Sequence, residues 1–212
     1  MGATPKEQRP YPHHARDRAA GDRRRGQILE AAIDELAERG WHAASVQGVA
    51  VRAGTKPPTV LHHFRNKPTL LLAALEHADA EAQRLMEAET GAAAPTGTAA
   101  LDAVVAVVER YVERPALARL SIGVAQEATT PEHPAHDWAR DRRTAIREAL
   151  GASIAAGVAD GELRADLDVP TEAADLFAVI EGAVAHWLVE PEAIDPVATT
   201  RRHVHRLVVP GG

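Results

Sequence analysis

The sequence contains no cysteine, so disulfides, thiol nucleophiles and cysteine–zinc sites are excluded. Aromatic residues make up only 3% of the 212 residues, while hydrophobic residues of all kinds reach 45%. A core of that size must therefore be built from Ala, Leu, Val and Ile, a composition that favours helices over sheets. No apolar run approaches the ~18 residues of a membrane span. The opening segment MGATPKEQRPYPHH lacks the apolar centre of a signal peptide, which sets the expectation of a cytoplasmic protein. Lysine is scarce, with Lys6, Lys56 and Lys67 the three in the chain; arginine is the default cation.

Charge is present but unevenly spread. Residues 1–70 carry 12 Lys and Arg against 7 Asp and Glu, a balance of +5. Residues 71–212 carry 12 against 23, a balance of −11. A basic front and an acidic back point to a polyanionic partner for the front alone.

Periodicity and breakers divide the chain into about nine helices, with no strand-length alternation and no repeat. Residues 1–20 are expected to form a disordered basic arm carrying Arg16 and Arg18. From an N-cap at Asp22, the stripe Leu29, Ala32, Ile33, Leu36 and Ala37 predicts a first helix, ended by Gly40. Ser45 caps a short helix over 46–53, and Gly54 breaks it. A third short helix spans about 57–63. Asn66 caps a long fourth helix reaching about Glu89. Later helices are expected near 98–114, 116–128, 134–160, 171–189 and 196–209, separated by Pro115, Thr129–Pro134, Gly161, Pro170 and Glu190–Pro191.

The run SVQGVAVRAGTKPPTVLHHF over 45–64 places two short amphipathic helices around a glycine turn, the arrangement of a helix-turn-helix. Val60 and Phe64 are spaced to anchor the second helix, which leaves Lys56, Thr59, His62 and His63 facing outward. The wider run from Gly40-Trp41 through Ser45, Ala50, Gly54, His63-Phe64, Lys67 and Leu70-Leu71 resembles the DNA-binding domain of the tetracycline-repressor (TetR) family. It departs from that pattern at three places. Lys56 stands where a small N-cap is usual, Pro57 and Pro58 follow it, and Leu61 replaces a tyrosine.

The resemblance implies a fold and a division of labour. The fold is all-α, with a three-helix DNA-binding domain over 21–66 and a helical effector-binding and dimerisation domain over 67–212. The expected activity is that of a ligand-responsive regulator, a repressor released from a palindromic double-stranded operator by a small-molecule effector. An activator or a metal-sensing regulator of the same fold are the alternatives, and neither an enzyme activity nor a cofactor is expected. Ser45, His63 and Lys67 suit phosphates; Lys56, Thr59 and His62 suit base edges; Pro57 or Pro58 suits a thymine methyl. Arg23, Arg24 and Arg25 are candidates to follow the backbone.

In the second domain the last two long helices are expected to form a homodimer interface through Ile180, Val184, Trp187, Val204, Leu207 and Val208. The effector pocket is expected among Leu75, Met86, Val108, Leu120, Val124, Trp138, Ile146, Phe177, Ile180 and Glu181. A di-iron bundle would need repeated Glu-x-x-His, which is missing. His133-x-x-His136-Asp137 is the one grouping with metal-ligand types, although a polar loop at a helix start explains it more simply.

Overall fold

The computed structural model describes residues 12–91 and 95–209. Among them the fold is all-α, in nine helices. α1 (Pro12–Ala43), α2 (Val46–Arg52) and α3 (Pro57–Phe64) form the N-terminal unit. α4 (Lys67–Thr90) leads into α5 (Gly97–Glu113). Pro115–Ala118, Arg119–Gly123 and Val124–Glu127 run on without a break as one helix, α6, whose middle segment is π-helical. α7 (His136–Ala159), α8 (Val169–Val189) and α9 (Pro196–Leu207) complete the chain.

The first helix starts ten residues earlier than Asp22, which is an exposed residue inside it. The expected disordered arm is thus helical from Pro12; the rest of it lies outside the described residues. Gly40 interrupts α1 with a φ of 68°, a conformation open to glycine at no steric cost. Gly54, φ 58°, reverses the chain between α2 and α3. Of the three caps expected from the sequence, Ser45 and Asn66 form, and Asp195 adds another. Ser45 accepts the Gly48 amide at 2.9 Å, Asn66 the Thr69 amide at 2.8 Å, and Asp195 the Ala198 amide at 2.9 Å. Lys56 occupies the N-cap of α3 without a side-chain bond, and Pro57 and Pro58 open that helix, where missing amides cost little.

One continuous apolar core runs from Ile28 on α1 to Leu207 on α9. α4 packs on α1 and α5, and the middle of α6 packs on α1, α4 and α8. α6 therefore lies between the N-terminal unit and the rest. Beyond α7 the chain makes one isolated antiparallel bridge, Leu163 with Val208, which ties the end of α9 to the α7–α8 link.

Candidate DNA-reading surface and effector domain

α3 is anchored by Val60 and Phe64, 0% and 2% exposed. That turns Lys56, Pro58, Leu61 and His62 to solvent, with Pro57, Thr59 and His63 half-buried. Arg25 lies over the Phe64 ring at 5.0 Å, which brings the basic start of α1 alongside α3. His62 and His63 meet edge to face, 5.6 Å between centroids. Burial, then the charges of His62, Arg25 and Arg24, pulls the His63 pKa below its ordinary value. Two exposed apolar side chains, Leu61 at 42% and Val51 at 68%, sit on the same unit. The sequence singled out Leu61 only as a departure and passed over Val51, because an apolar residue on a short amphipathic helix reads as core.

Ser45 is exposed at the start of α2, with its hydroxyl hydrogen still free to be donated while its oxygen caps the helix. Lys67 is placed differently from the expectation of an ammonium facing outward. Its Nζ donates to the Trp41 and His42 carbonyls, the latter at 3.3 Å, and lies 4.2 Å from the Trp41 ring centre. Desolvation lowers its pKa. Two of its three donors are thus spent on the exposed carbonyls at the end of α1.

The joint between the two parts is ionic. Glu30 on α1 pairs with His77 on α4 at 2.9 Å and with Arg114 at the α5–α6 turn. Arg114 also reaches Glu81 at 3.2 Å, and Glu81 accepts from Arg110 at 2.8 Å. Burial pushes the Glu30 carboxyl up, but the hydrogen bonds from His77 and Arg114 outweigh it and hold it below the ordinary value. A second contact is apolar: the buried His133 ring meets Trp41 edge-on at 5.9 Å.

Inside the second part, five helices meet at a polar junction. Arg142 on α7 donates to Asp79 on α4 at 2.7 Å and to the Tyr111 hydroxyl on α5 at 3.4 Å. Trp138 donates its indole N–H to Asp79 at 3.2 Å, and Arg142 lies 5.5 Å from that ring. Burial lowers the Arg142 pKa, yet Tyr111 and Asp79 raise it by more. Arg143 makes two long hydrogen bonds, 3.3 and 3.4 Å, to the Ala125 carbonyl on α6. It also stands 3.5 Å from Glu181 Oε1 on α8, an ion-pair contact; that oxygen accepts no hydrogen bond within the described residues.

Of the expected pocket residues, Trp138 and Glu181 belong to this junction. Leu75, Val108 and Leu120 are fully buried core at 0%, with Val124 at 2%, Phe177 at 8% and Ile180 at 9%. Met86 and Ile146 are half-buried. Asp79, Tyr111, Arg142 and Arg143 escaped the sequence reading, since an apolar stripe gives no sign of charge buried beside it.

The expected interface needs correction. Within a single protomer Val184 is 0% exposed, Leu207 2%, Val204 6% and Ile180 9%, so these four face their own core. Only Trp187 and Val208 keep part of their surface. The outer side of α8 carries Ala178, Gly182, Ala185 and Val189, the last 79% exposed. The histidine pair has no metal-binding arrangement: His133 Nδ1 accepts the Ala135 amide at 3.1 Å, and His136 Nδ1 pairs with the Ala128 carbonyl at 3.0 Å. Among the described residues no group of three His, Asp or Glu side chains is placed to hold an ion, and no helix is long and apolar enough to cross a membrane.

Two family models match the chain. Residues 28–74 match the family described as bacterial regulatory proteins, tetR family. Residues 97–204, just over half of the chain, match the family described as tetracyclin repressor-like, C-terminal domain. The activator FasR of Mycolicibacterium smegmatis is 44% identical over 64 residues, 30% of this chain and 29% of FasR's own length. The fatty acid metabolism regulator protein of Bacillus subtilis is 23% identical over 189 residues, covering 86% of this chain and 92% of that one. Among solved structures, FadR from Bacillus subtilis in complex with stearoyl-CoA superposes with a TM-score of 0.69 at 23% identity, covering 86% and 96% of the two chains. The SmeT–triclosan complex gives 0.72 at 20% identity over 89% and 93%. A helix-turn-helix head, a helical effector body and both family matches make this a ligand-responsive, DNA-binding transcription regulator, and the chain belongs to the TetR family of bacterial regulatory proteins.

Proposed function

We propose that the protein is a cytoplasmic, non-enzymatic, homodimeric repressor that leaves a palindromic operator when an acidic amphiphile enters the effector domain. The observation that carries this reading is the loosely held Arg143. Its bonds to α6 are long, and the Glu181 Oε1 it faces accepts no hydrogen bond among the described residues. A ligand anion offers this guanidinium a short bidentate contact in place of two long neutral ones. The neighbouring Arg142 is already matched by Asp79 and stays in place. Two relatives support this class. Stearoyl-CoA, bound by FadR, and triclosan, bound by SmeT, both join an apolar body to an ionisable group.

Release of Arg143 from Ala125 frees α6, which packs on α1. The Glu30–Arg114 joint carries that movement to the DNA-reading head. Coupling of this kind amounts to about 5–150-fold in affinity. On the DNA side, Ser45, His63, Arg24, Arg25 and the third donor of Lys67 meet phosphates, while Lys56, Thr59 and His62 meet base edges. Pro57 or Pro58 meets a thymine methyl. Two protomers join through the outer side of α8, which spaces their heads for half-sites about 34–36 Å apart.

The test is genomic selection with the purified protein, followed by operator-binding titrations with stearoyl-CoA, stearate, triclosan and a neutral long-chain alcohol. The acidic compounds are expected to weaken operator binding, the alcohol to leave it unchanged, and Arg143→Ala to remove the response but not the binding. Release by the alcohol as well removes Arg143 from recognition, and a failure to enrich any palindrome removes the operator itself. A site overlapping the start of transcription supports repression; one lying upstream supports activation instead.

A further inference from the structure

α2 opens with half of a capping box. Ser45 accepts the Gly48 amide, and in a Ser-x-x-Glu start the glutamate three residues on would reach back to the Ser45 amide. Position 48 is glycine and has no side chain to do so. The missing carboxylate comes from another helix. The Ser45 amide donates to Oε1 of Glu35 on α1 at 3.4 Å, across a separation of ten residues. Glu35 is 2% exposed, a burial that a carboxylate tolerates only when matched by donors. It is matched. Arg52 Nε, from the far end of α2, donates to it at 2.9 Å, and Arg39 Nε stands 3.4 Å away. Its hydrogen bond is the largest influence raising the Arg52 pKa.

The space is matched as well. A Cβ placed on Gly48 would lie 2.8 Å from Glu35 Oε2 and closer still to Oε1 and Cδ. No side chain fits at 48 while this carboxylate is in place. Glycine at 48 and glutamate at 35 therefore belong together.

We propose that Glu35 is a positioning residue for DNA reading: it supplies, from α1, the carboxylate half of the α2 capping box, and so fixes the angle at which α2 and the recognition helix leave α1. One buried carboxylate ties the first amide of α2 and the arginine at its end to the same point on α1. α3 follows through the Gly54 turn, so any rotation of α2 carries the groove-facing side chains of α3 with it. Glu35 itself touches no phosphate and reads no base. Its loss must therefore weaken all operator variants alike and leave the salt dependence intact.

The experiment uses the full-length protein and its selected operator, with Kd measured at several salt concentrations and folding checked by circular dichroism. Glu35→Ala and Gly48→Ala are each expected to weaken binding by about tenfold or more, with the salt slope unchanged. The double variant Glu35→Ala/Gly48→Glu rebuilds the box within α2, and its affinity is expected to return to within about threefold of the parent. A double variant no better than Glu35→Ala overturns the proposal. So does a salt slope reduced by about one unit, which would mark a lost phosphate contact. Glu35→Gln covers the case in which the alanine variant does not fold: it keeps the volume and an acceptor for the Ser45 amide, so affinity is expected to stay within about threefold of the parent, and a loss of about tenfold or more in the folded variant also overturns the proposal. Absence of operator binding by the parent protein would instead strike the DNA-binding assignment on which the proposal rests.

Discussion

In the DNA-reading head, polar groups find partners close by in sequence: Ser45 with Gly48, Asn66 with Thr69, and the buried Glu35 with Arg52 at a separation of 17. In the effector domain the separations are long. Asp79 pairs with Arg142 across 63 residues, and Glu81 with Arg110 across 29. Short-range bonds set the shape of each helix and turn, so the head keeps its form while it moves. Long-range bonds hold helices against one another and survive only in one mutual arrangement. A ligand can exchange them for its own contacts, which is what a sensing domain requires.

The sharpest way to break the contrast is at Asp79. Asp79→Leu leaves Arg142 buried without its carboxylate, and stability is expected to fall by ~3–5 kcal/mol, or about 10 °C in Tm. The pair change Asp79→Leu/Arg142→Leu should recover most of that, because two apolar side chains leave no unmatched charge. Thermal unfolding of both variants and of Arg142→Leu closes the cycle. A double variant whose loss equals the sum of the two single losses would show that the junction holds no special coupling.

The surfaces of α8 give the next effect. Gly182 is exposed, and an added Cβ there meets nothing within 4 Å. Gly182→Glu is expected to leave the protomer folded and raise the dimer Kd by about 100-fold, equivalent to ~2.7 kcal/mol. Val184→Glu, on the buried side of the same helix, should unfold the protomer instead. Sedimentation equilibrium with circular dichroism separates the two. An intact Gly182→Glu dimer at low micromolar concentration would move the interface elsewhere.

Ser45 gives a smaller effect and divides its two duties. Ser45→Ala loses the cap, about 1 kcal/mol of stability, and operator affinity with it. Ser45→Asp keeps the cap and should preserve Tm, yet its charge repels a phosphate and operator affinity should still fall. Unchanged affinity in Ser45→Asp removes the phosphate contact from this residue.

The mildest effect is on pH. Burial is the leading cause that lowers the pKa values of His63, His133 and His203 from 6.5. Between that ordinary value and the lowered one, the unfolded chain binds more protons than the folded one, so stability rises with pH. The contribution is complete above about 6.5 and is lost as pH falls through the folded values. Tm should therefore be lower at pH 5.5 than at 7.5. His203→Gln and His133→Gln should each narrow that difference, and an unaltered difference in both would assign it to other groups.

What the sequence made legible follows the same contrast. The caps at Ser45 and Asn66, the Gly54 turn and the anchors Val60 and Phe64 are local chemistry, and periodicity with turn rules reaches them. The helices of the effector domain were equally legible, because their breakers are proline and glycine. Which face of α8 looks inward was not. Its stripe is apolar on nearly every side, and Val184 and Ala185 differ in burial only because of what lies against them. The Arg142–Asp79 pair was out of reach for the same reason: nothing near either residue in sequence predicts the other. The partners of Lys67 within its own domain, two carbonyls and a ring, were equally out of reach, because they lie 25 and 26 residues back in the chain.

The π-helical stretch at Arg119–Gly123 has a mechanical meaning. A π turn stores one residue more than an α turn over the same rise. Tightening it to α geometry would pass that residue along the rod, turning residues 124–127 by roughly 100° and sliding them about 1.5 Å relative to 115–118. Ala125, which holds Arg143, and Glu127, whose carboxylate lies beside Gly40 on α1, ride on the part that turns. A change in that one turn would thus work as a single-tooth escapement, with one notch of travel between the sensing body and the reading head.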